Sequence, residues 1–170
     1  QDVAPGFFSD FEVYVAPDMQ DRSGGRDSHH LILLAKDLQG YQNLAYLVSM
    51  AYLKGFYYTP RLDKRLLRER SAGLIGLSAC LGGEIPQTIL QGGVSRAAEV
   101  VKEYREIFAP GCFYLELQAN GQQEQEQVNE GLIKLSRQLD VGLVATNDCH
   151  YLDRKDARAH DILMCIQTGK

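Results

Sequence analysis

The 170-residue chain carries 18 Lys and Arg against 22 Asp and Glu, a formal net charge of −4, with a hydrophobic fraction of 45%. That length and composition fit one globular domain with its own core, and the acidic balance argues against a basic clamp on nucleic acid as the main role of this segment. No apolar run reaches membrane-span length, no basic-then-apolar leader opens the chain, and Cys80, Cys112, Cys149 and Cys165 form neither a CxxC pair nor a disulfide scaffold. Reduced thiols in a cytoplasmic setting are the expectation.

Gln1 to Gly6 shows neither a helical nor a strand period, and without an initiator methionine the chain reads as a fragment. The first regular run, Phe7 to Ala16, is aromatic and β-branched with Glu12 inside it; Pro17 ends it because proline cannot donate to a ladder. Asp18 to Ser28, with Gly24-Gly25, reads as a loop. His29-His30 leads into Leu31-Ile-Leu-Leu-Ala35, a continuous apolar run expected to be a strand buried on both faces. From Asp37 the period lengthens. Tyr41, Leu44, Val48 and Ala51 share one face of a helix that Gly55 stops.

Leu62 to Arg70 reads as a short charged helix, and Gly73 to Ser78 as a third strand running into the glycine-bearing turn Ala79 to Glu84. A short helix over Ile85 to Leu90 follows. Gly92-Gly93 breaks it, and Val94, Ala97, Val101, Tyr104 and Phe108 mark an amphipathic helix. Phe113 to Gln118 is the fourth strand, Val128 to Leu139 the next helix, and Leu143 to Thr146 the fifth strand. Asp153 and Asp156 stand at capping-box spacing before a last helix that carries His160, Leu163 and Ile166.

Strands alternating with helices imply an α/β fold with mostly parallel strands, either an open sheet or a barrel lacking its first strands. In such folds ligands gather beyond the carboxyl ends of strands. Asp148 and His150 follow the fifth strand and, in an extended run, point the same way. A carboxylate beside an imidazole suits a hard or borderline divalent ion. Cys80, after the third strand, can converge on them. Glu12 ends a strand only if the first strand stops at Phe11, and His30 precedes its strand.

Each residue also has a plainer reading. Asp148 can cap or orient a loop, Cys80 can be a small buried residue beside glycines, and His160 a packed histidine. Glu116 can face a barrel interior or a basic partner, and Cys149 is expected to pack on the side opposite Asp148 and His150. No GxGxxG, Walker, GxSxG or HExxH motif occurs.

A more specific signal lies in seven segments taken together. They are Glu12-Val-Tyr-Val-Ala-Pro17, His30-Leu-Ile-Leu-Leu-Ala-Lys36, Gly40-Tyr-Gln-Asn-Leu44, Gly73-Leu-Ile-Gly-Leu-Ser-Ala-Cys80-Leu-Gly-Gly-Glu84, Phe113-Tyr-Leu-Glu-Leu-Gln118, Leu143-Val-Ala-Thr-Asn-Asp-Cys-His-Tyr151 and Ala159-His-Asp-Ile-Leu-Met-Cys-Ile-Gln-Thr-Gly-Lys170. In this order they resemble the polymerase-and-histidinol-phosphatase (PHP) domain of bacterial replicative DNA polymerase III alpha subunits. The resemblance spans residues 12–170 and leaves 1–11 poorly matched.

The resemblance implies a partial, distorted (β/α)7 TIM-like barrel with a metal cluster at one end. Carried over position by position, it makes Glu12, His30, Cys80, Asp148 and His150 metal-ligand positions, with Asp148 and His150 as the catalytic pair. His30 is preferred to His29 because the family's histidine directly precedes the Leu-Ile-Leu-Leu run. It implies divalent metal cofactors, zinc first because of Cys80, with manganese or magnesium as alternatives, and magnesium at a polymerase site outside this chain.

For the whole protein it implies template-directed synthesis on DNA with deoxynucleotides, in the cytoplasm and away from membranes. The partners are a proofreading exonuclease subunit and other replicase subunits. For this segment it implies metal-assisted phosphoester hydrolysis with 3′–5′ proofreading. Two alternatives stay open: an inert PHP scaffold that stabilises the polymerase and binds the exonuclease subunit, and a stand-alone PHP phosphatase. The chain also departs from the family pattern. The opening His-x-His motif and further aspartate and histidine ligands have no counterpart, and Ser9-Asp10-Phe11 stands where the family has Ile-Gly-Cys. The expectation is a partial metal site in a chain that alone neither polymerises nor hydrolyses efficiently.

Overall fold

The structure is a computed structural model that describes residues 10–23 and 27–169. Gln1 to Gly6, the expected strand start at Phe7 to Ser9 and the loop glycines Gly24-Gly25 lie outside the described residues. Among the described residues, six strands form one sheet: β1 (Asp10–Ala16), β2 (His29–Ala35), β3 (Arg61–Asp63), β4 (Leu74–Leu77), β5 (Phe113–Gln118) and β6 (Gly142–Thr146). Their order is β3-β1-β2-β4-β5-β6, with β3 and β6 at the edges. Three of the five pairings are parallel, and β2 runs antiparallel to both β1 and β4. The sheet is mixed and mostly parallel, as expected for α/β, and among the described residues it does not close into a barrel.

The sixth strand, β3, was not anticipated. Leu62 and Asp63 look like the opening of the charged helix expected over Leu62 to Arg70, but the helix α2 (Lys64–Arg70) begins only after Asp63, whose carboxylate caps it by accepting from Leu66 N at 2.8 Å. The remaining helices are α1 (Leu38–Leu53), α3 (Glu84–Ile107), α4 (Gln123–Leu139) and α5 (Ala157–Thr168). The expected break at Gly92-Gly93 survives inside α3 as a non-helical Gly93, with φ 79° and ψ 172°. Asp153 and Asp156 do form the capping box, on a single 3-10 turn that leads into α5.

Helices cover one face of the sheet. Alternation sends Leu31, Leu33, Leu74 and Leu115 to that face, where all are fully buried against α1, α3 and α4. On the opposite face, Tyr14, Ile32, Leu34, Ile75, Tyr114 and Val144 are only half-buried. The Leu31–Ala35 run is therefore buried on one face, not both, because no described element covers the other. Helix α5 forms where expected, yet Leu163 and Ile166 are 51% and 72% exposed and no residue of α5 is buried.

Candidate metal centre

The antiparallel setting of β2 decides where His30 goes. His30 lies inside β2, directly opposite Tyr14 of β1, where the sequence alone had placed it ahead of the strand. Because β2 is reversed, its amino end shares the rim where β1 and β4 end. Opposed residues of an antiparallel pair share a face, so Glu12, Tyr14, His30 and Ile32 all project from the uncovered side of the sheet. Glu12 sits mid-strand, since β1 continues to Ala16, and reaches His30 along the diagonal.

Cys80 is delivered by the turn after β4. Ala79 holds the left-handed conformation (φ 61°), unfavourable by about 1–2 kcal/mol for a residue with a Cβ. The turn closes by a Gly83 N to Cys80 O hydrogen bond of 2.9 Å and is held to β2 by His30 N donating to Gly82 O at 3.0 Å. Space requires glycine at 83, where a Cβ would lie 2.1 Å from Ser78 O, and leaves little room at Gly82, where one would lie 3.0 Å from the His30 ring.

Three ligand types converge as a result. Glu12 Oε1 is 3.3 Å and Cys80 Sγ 3.5 Å from His30 Nδ1, and one ligand atom from each residue lies within 4.8 Å of the other two. One nitrogen thus faces a carboxylate and a thiol. The hydrogen bond to Cys80, then that to Glu12, hold the imidazolium proton and raise the His30 pKa from 6.5 to about 10, against the opposing effect of burial. His30 in turn holds the Glu12 carboxyl below its ordinary range. Tyr14 meets the His30 ring edge-on at 5.0 Å, and burial, followed by the Glu12 and Cys80 charges, pushes its phenol up. An oxygen, a nitrogen and a sulfur donor gathered around one point fit a borderline divalent ion, which would take the place of the shared proton.

Asp148 and His150 are not in this three-residue group. The premise of an extended run fails, because β6 stops at Thr146 and Asp148 is left-handed (φ 50°). Cys149, expected to pack, is exposed for the same reason. His150 Nδ1 lies 2.8 Å from the Asp148 carbonyl. A carbonyl can only accept, so that contact puts a ring proton on Nδ1 and makes Nε2 the nitrogen with the lone pair whenever the ring is neutral. His150 is near enough to Glu12 to help lower its pKa. His160, expected as a packed histidine, has its ring 5.6 Å from that of His150 and 5.3 Å from that of Tyr151.

Sequence reasoning passed over Tyr14, Gly82 and Ser78. Alternation from Glu12 was the available signal for Tyr14. Nothing local marked Ser78, whose hydroxyl accepts from Glu116 N at 2.8 Å.

Comparison with known proteins gives a consistent picture. The PHP domain profile matches residues 10–120. The chain is 48% identical over 163 residues to the DNA polymerase III subunit alpha of Thermus aquaticus, which covers 93% of this chain and 13% of that protein. The subunit of the same name from Borreliella burgdorferi is 51% identical over 145 residues (85% and 13%), and that from Treponema pallidum 45% over 163 residues (94% and 14%). The chain therefore spans only a small part of the length of these relatives. No helix among the described residues is long and apolar enough to cross a membrane.

Proposed function

The chain belongs to the PHP-domain family, and from that premise we propose that it is the PHP domain of a bacterial replicative DNA polymerase alpha subunit and holds a divalent ion through Glu12, His30 and Cys80. The observation that carries this reading is the convergence of carboxylate, imidazole and thiol on one point of the rim. Zinc suits the set best, since the thiolate and imidazole donors are soft or borderline. Asp148 and His150 complete the set from the end of β6, with His150 Nε2 free to turn towards the ion.

A bound ion there would supply Lewis acidity and a water acidified to a pKa of about 7, the chemistry needed to cleave a phosphoester. The chain's own groups have separate tasks. His30 releases its proton from Nδ1, Glu12 keeps its charge at neutral pH, and Tyr14 limits the rotation of the His30 ring. Asp148 and His150, on the segment after β6, would meet an arriving phosphate.

In the whole protein this domain would accompany magnesium-dependent DNA synthesis from deoxynucleotides in the cytoplasm, with proofreading through its own site or through a bound exonuclease subunit. The presence of five residues at matching ligand positions favours a metal-binding domain over an inert scaffold. The length of the relatives disfavours a stand-alone phosphatase.

Elemental analysis after zinc loading and dialysis tests the site. About one zinc per chain is expected for the unaltered chain and much less than one for Glu12→Gln, His30→Ala and Cys80→Ser. Full zinc retention in all three would refute the site. Asp148→Ala and His150→Ala decide the rim pair: loss of zinc makes them ligands, and full retention removes them from the set.

A further inference from the structure

A second polar group lies on the uncovered face of the sheet, on the strands β5 and β6. Alternation along β5 sends Leu115 to the helices, and Glu116 and Gln118 to the other side. Both are nevertheless buried, at 5% and 4% exposure. Gln118 is directly opposite Thr146 of β6. Thr146 Oγ1 donates to Glu116 Oε1, and Gln118 Nε2 lies 3.2 Å from Glu116 Oε1 and 3.4 Å from Thr146 Oγ1.

Those contacts satisfy one carboxylate oxygen and the amide nitrogen. Among the described residues they leave Glu116 Oε2 and Gln118 Oε1 as buried acceptors without a donor, and no Lys or Arg pairs with Glu116. A buried carboxylate without a positive partner is unfavourable, and a second unsatisfied acceptor two residues along the same strand face adds to the cost. Something that supplies positive charge and accepts two oxygen donors would resolve both.

We propose that Glu116, Gln118 and Thr146 form a hard-cation site, separate from the Glu12, His30 and Cys80 group. Its donors are a carboxylate, an amide carbonyl and a hydroxyl, with no nitrogen or sulfur among them. That chemistry selects Mg2+, Mn2+ or Ca2+, or a monovalent K+, and disfavours the ions that a thiolate and imidazoles select. The site also has a defined position. Thr146 lies two residues before Asp148. The Glu116 amide is bonded to Ser78, two residues before Cys80. An ion held here would fix the ends of β4, β5 and β6 from which both loops of the candidate zinc site depart.

Terbium is a suitable probe, because Tb3+ seeks oxygen donors and glows when a nearby tyrosine is excited. Tyr114 lies two residues before Glu116 on the same face, and the chain contains no Trp to compete. The expected result, with zinc already bound, is saturable tyrosine-sensitised luminescence. Its affinity should fall at least tenfold in Glu116→Gln and stay unchanged in Glu99→Gln, which alters an exposed carboxylate on α3 outside both sites. Displacement by Mg2+ or Ca2+ would identify a divalent site, and displacement by K+ alone a monovalent one. Gln118→Glu, which adds a second carboxylate, should tighten Tb3+ binding at least tenfold, and it decides the matter if Glu116→Gln does not fold. No saturable signal, a signal indifferent to Glu116→Gln in a folded variant, loss with Glu99→Gln, or no tightening in Gln118→Glu would each overturn the proposal.

Discussion

Zinc affinity of the chain is expected to rise at least tenfold per pH unit between roughly pH 6 and 9. The cause is the proton that Cys80 and Glu12 hold on His30, whose pKa is raised to about 10. Over that whole range the ion must displace a bound proton, so each unit of pH removes a factor of ten in competition. Titration against a chromophoric chelator at several pH values measures the slope; a flat profile would mean that His30 is not a ligand.

The same shift affects the metal-free chain in the opposite sense. His30 binds its proton more tightly folded than unfolded, so protonation favours the folded state. That contribution is complete below about pH 6.5 and is lost as pH rises to about 10. Zinc therefore binds most strongly where the empty site contributes least to stability. Urea unfolding at both ends of the range, with and without zinc, should show the two trends crossing.

Lys64→Met is expected to destabilise the chain by about 2–3 kcal/mol. Lys64 Nζ lies 2.8 Å from Glu84 Oε1, 2.7 Å from Glu103 Oε2 and 4.7 Å from the centre of the Tyr104 ring, while Tyr104 donates its hydroxyl to Glu84 Oε2 at 2.8 Å. Lys64 and Glu84 are only 18% and 22% exposed, so removing the ammonium leaves a carboxylate largely shielded from water. The expected cost sits below that of a fully buried pair because this residual exposure lets solvent screen the charge. Adding Glu84→Gln should recover part of the loss, since the stranded charge disappears with it. Urea midpoints of the single and double variants test this, and equal loss in both would show that packing against Tyr104 is what matters. Glu84 opens α3 immediately after the Cys80 turn, so the brace also steadies one wall of the metal centre.

The regular elements were readable where side-chain period and punctuation agreed. Phe113–Gln118 alternates cleanly between Pro110-Gly111 and Gly121, and its bounds match β5. Arg61 to Asp63 was unreadable as a strand because three charged and apolar residues carry no period; parallel pairing with Tyr14 to Ala16 makes it one. The site was legible in its residue types and obscure in its geometry. Nothing near His29-His30 signals that β2 is reversed, since direction is settled by its pairing with β1 on one side and, far along the chain, with β4 on the other. Likewise, no local pattern around Asn147 announces the left-handed Asp148 that ends the alternation.

The reversal of β2 has a kinetic consequence. Glu12 and His30 belong to neighbouring strands joined by only the residues 17–28, whereas Cys80 and the β6 end must come from far along the chain. Closing a short loop is entropically cheaper than closing a long one, and pairings local in sequence form sooner. The first two ligands can therefore meet in a nascent hairpin, before the rest of the sheet exists. Zinc should then accelerate refolding, by bridging that hairpin, more than it slows unfolding. Stopped-flow refolding and unfolding with and without the ion would separate these effects, and a change confined to the unfolding rate would mean that the centre is assembled last.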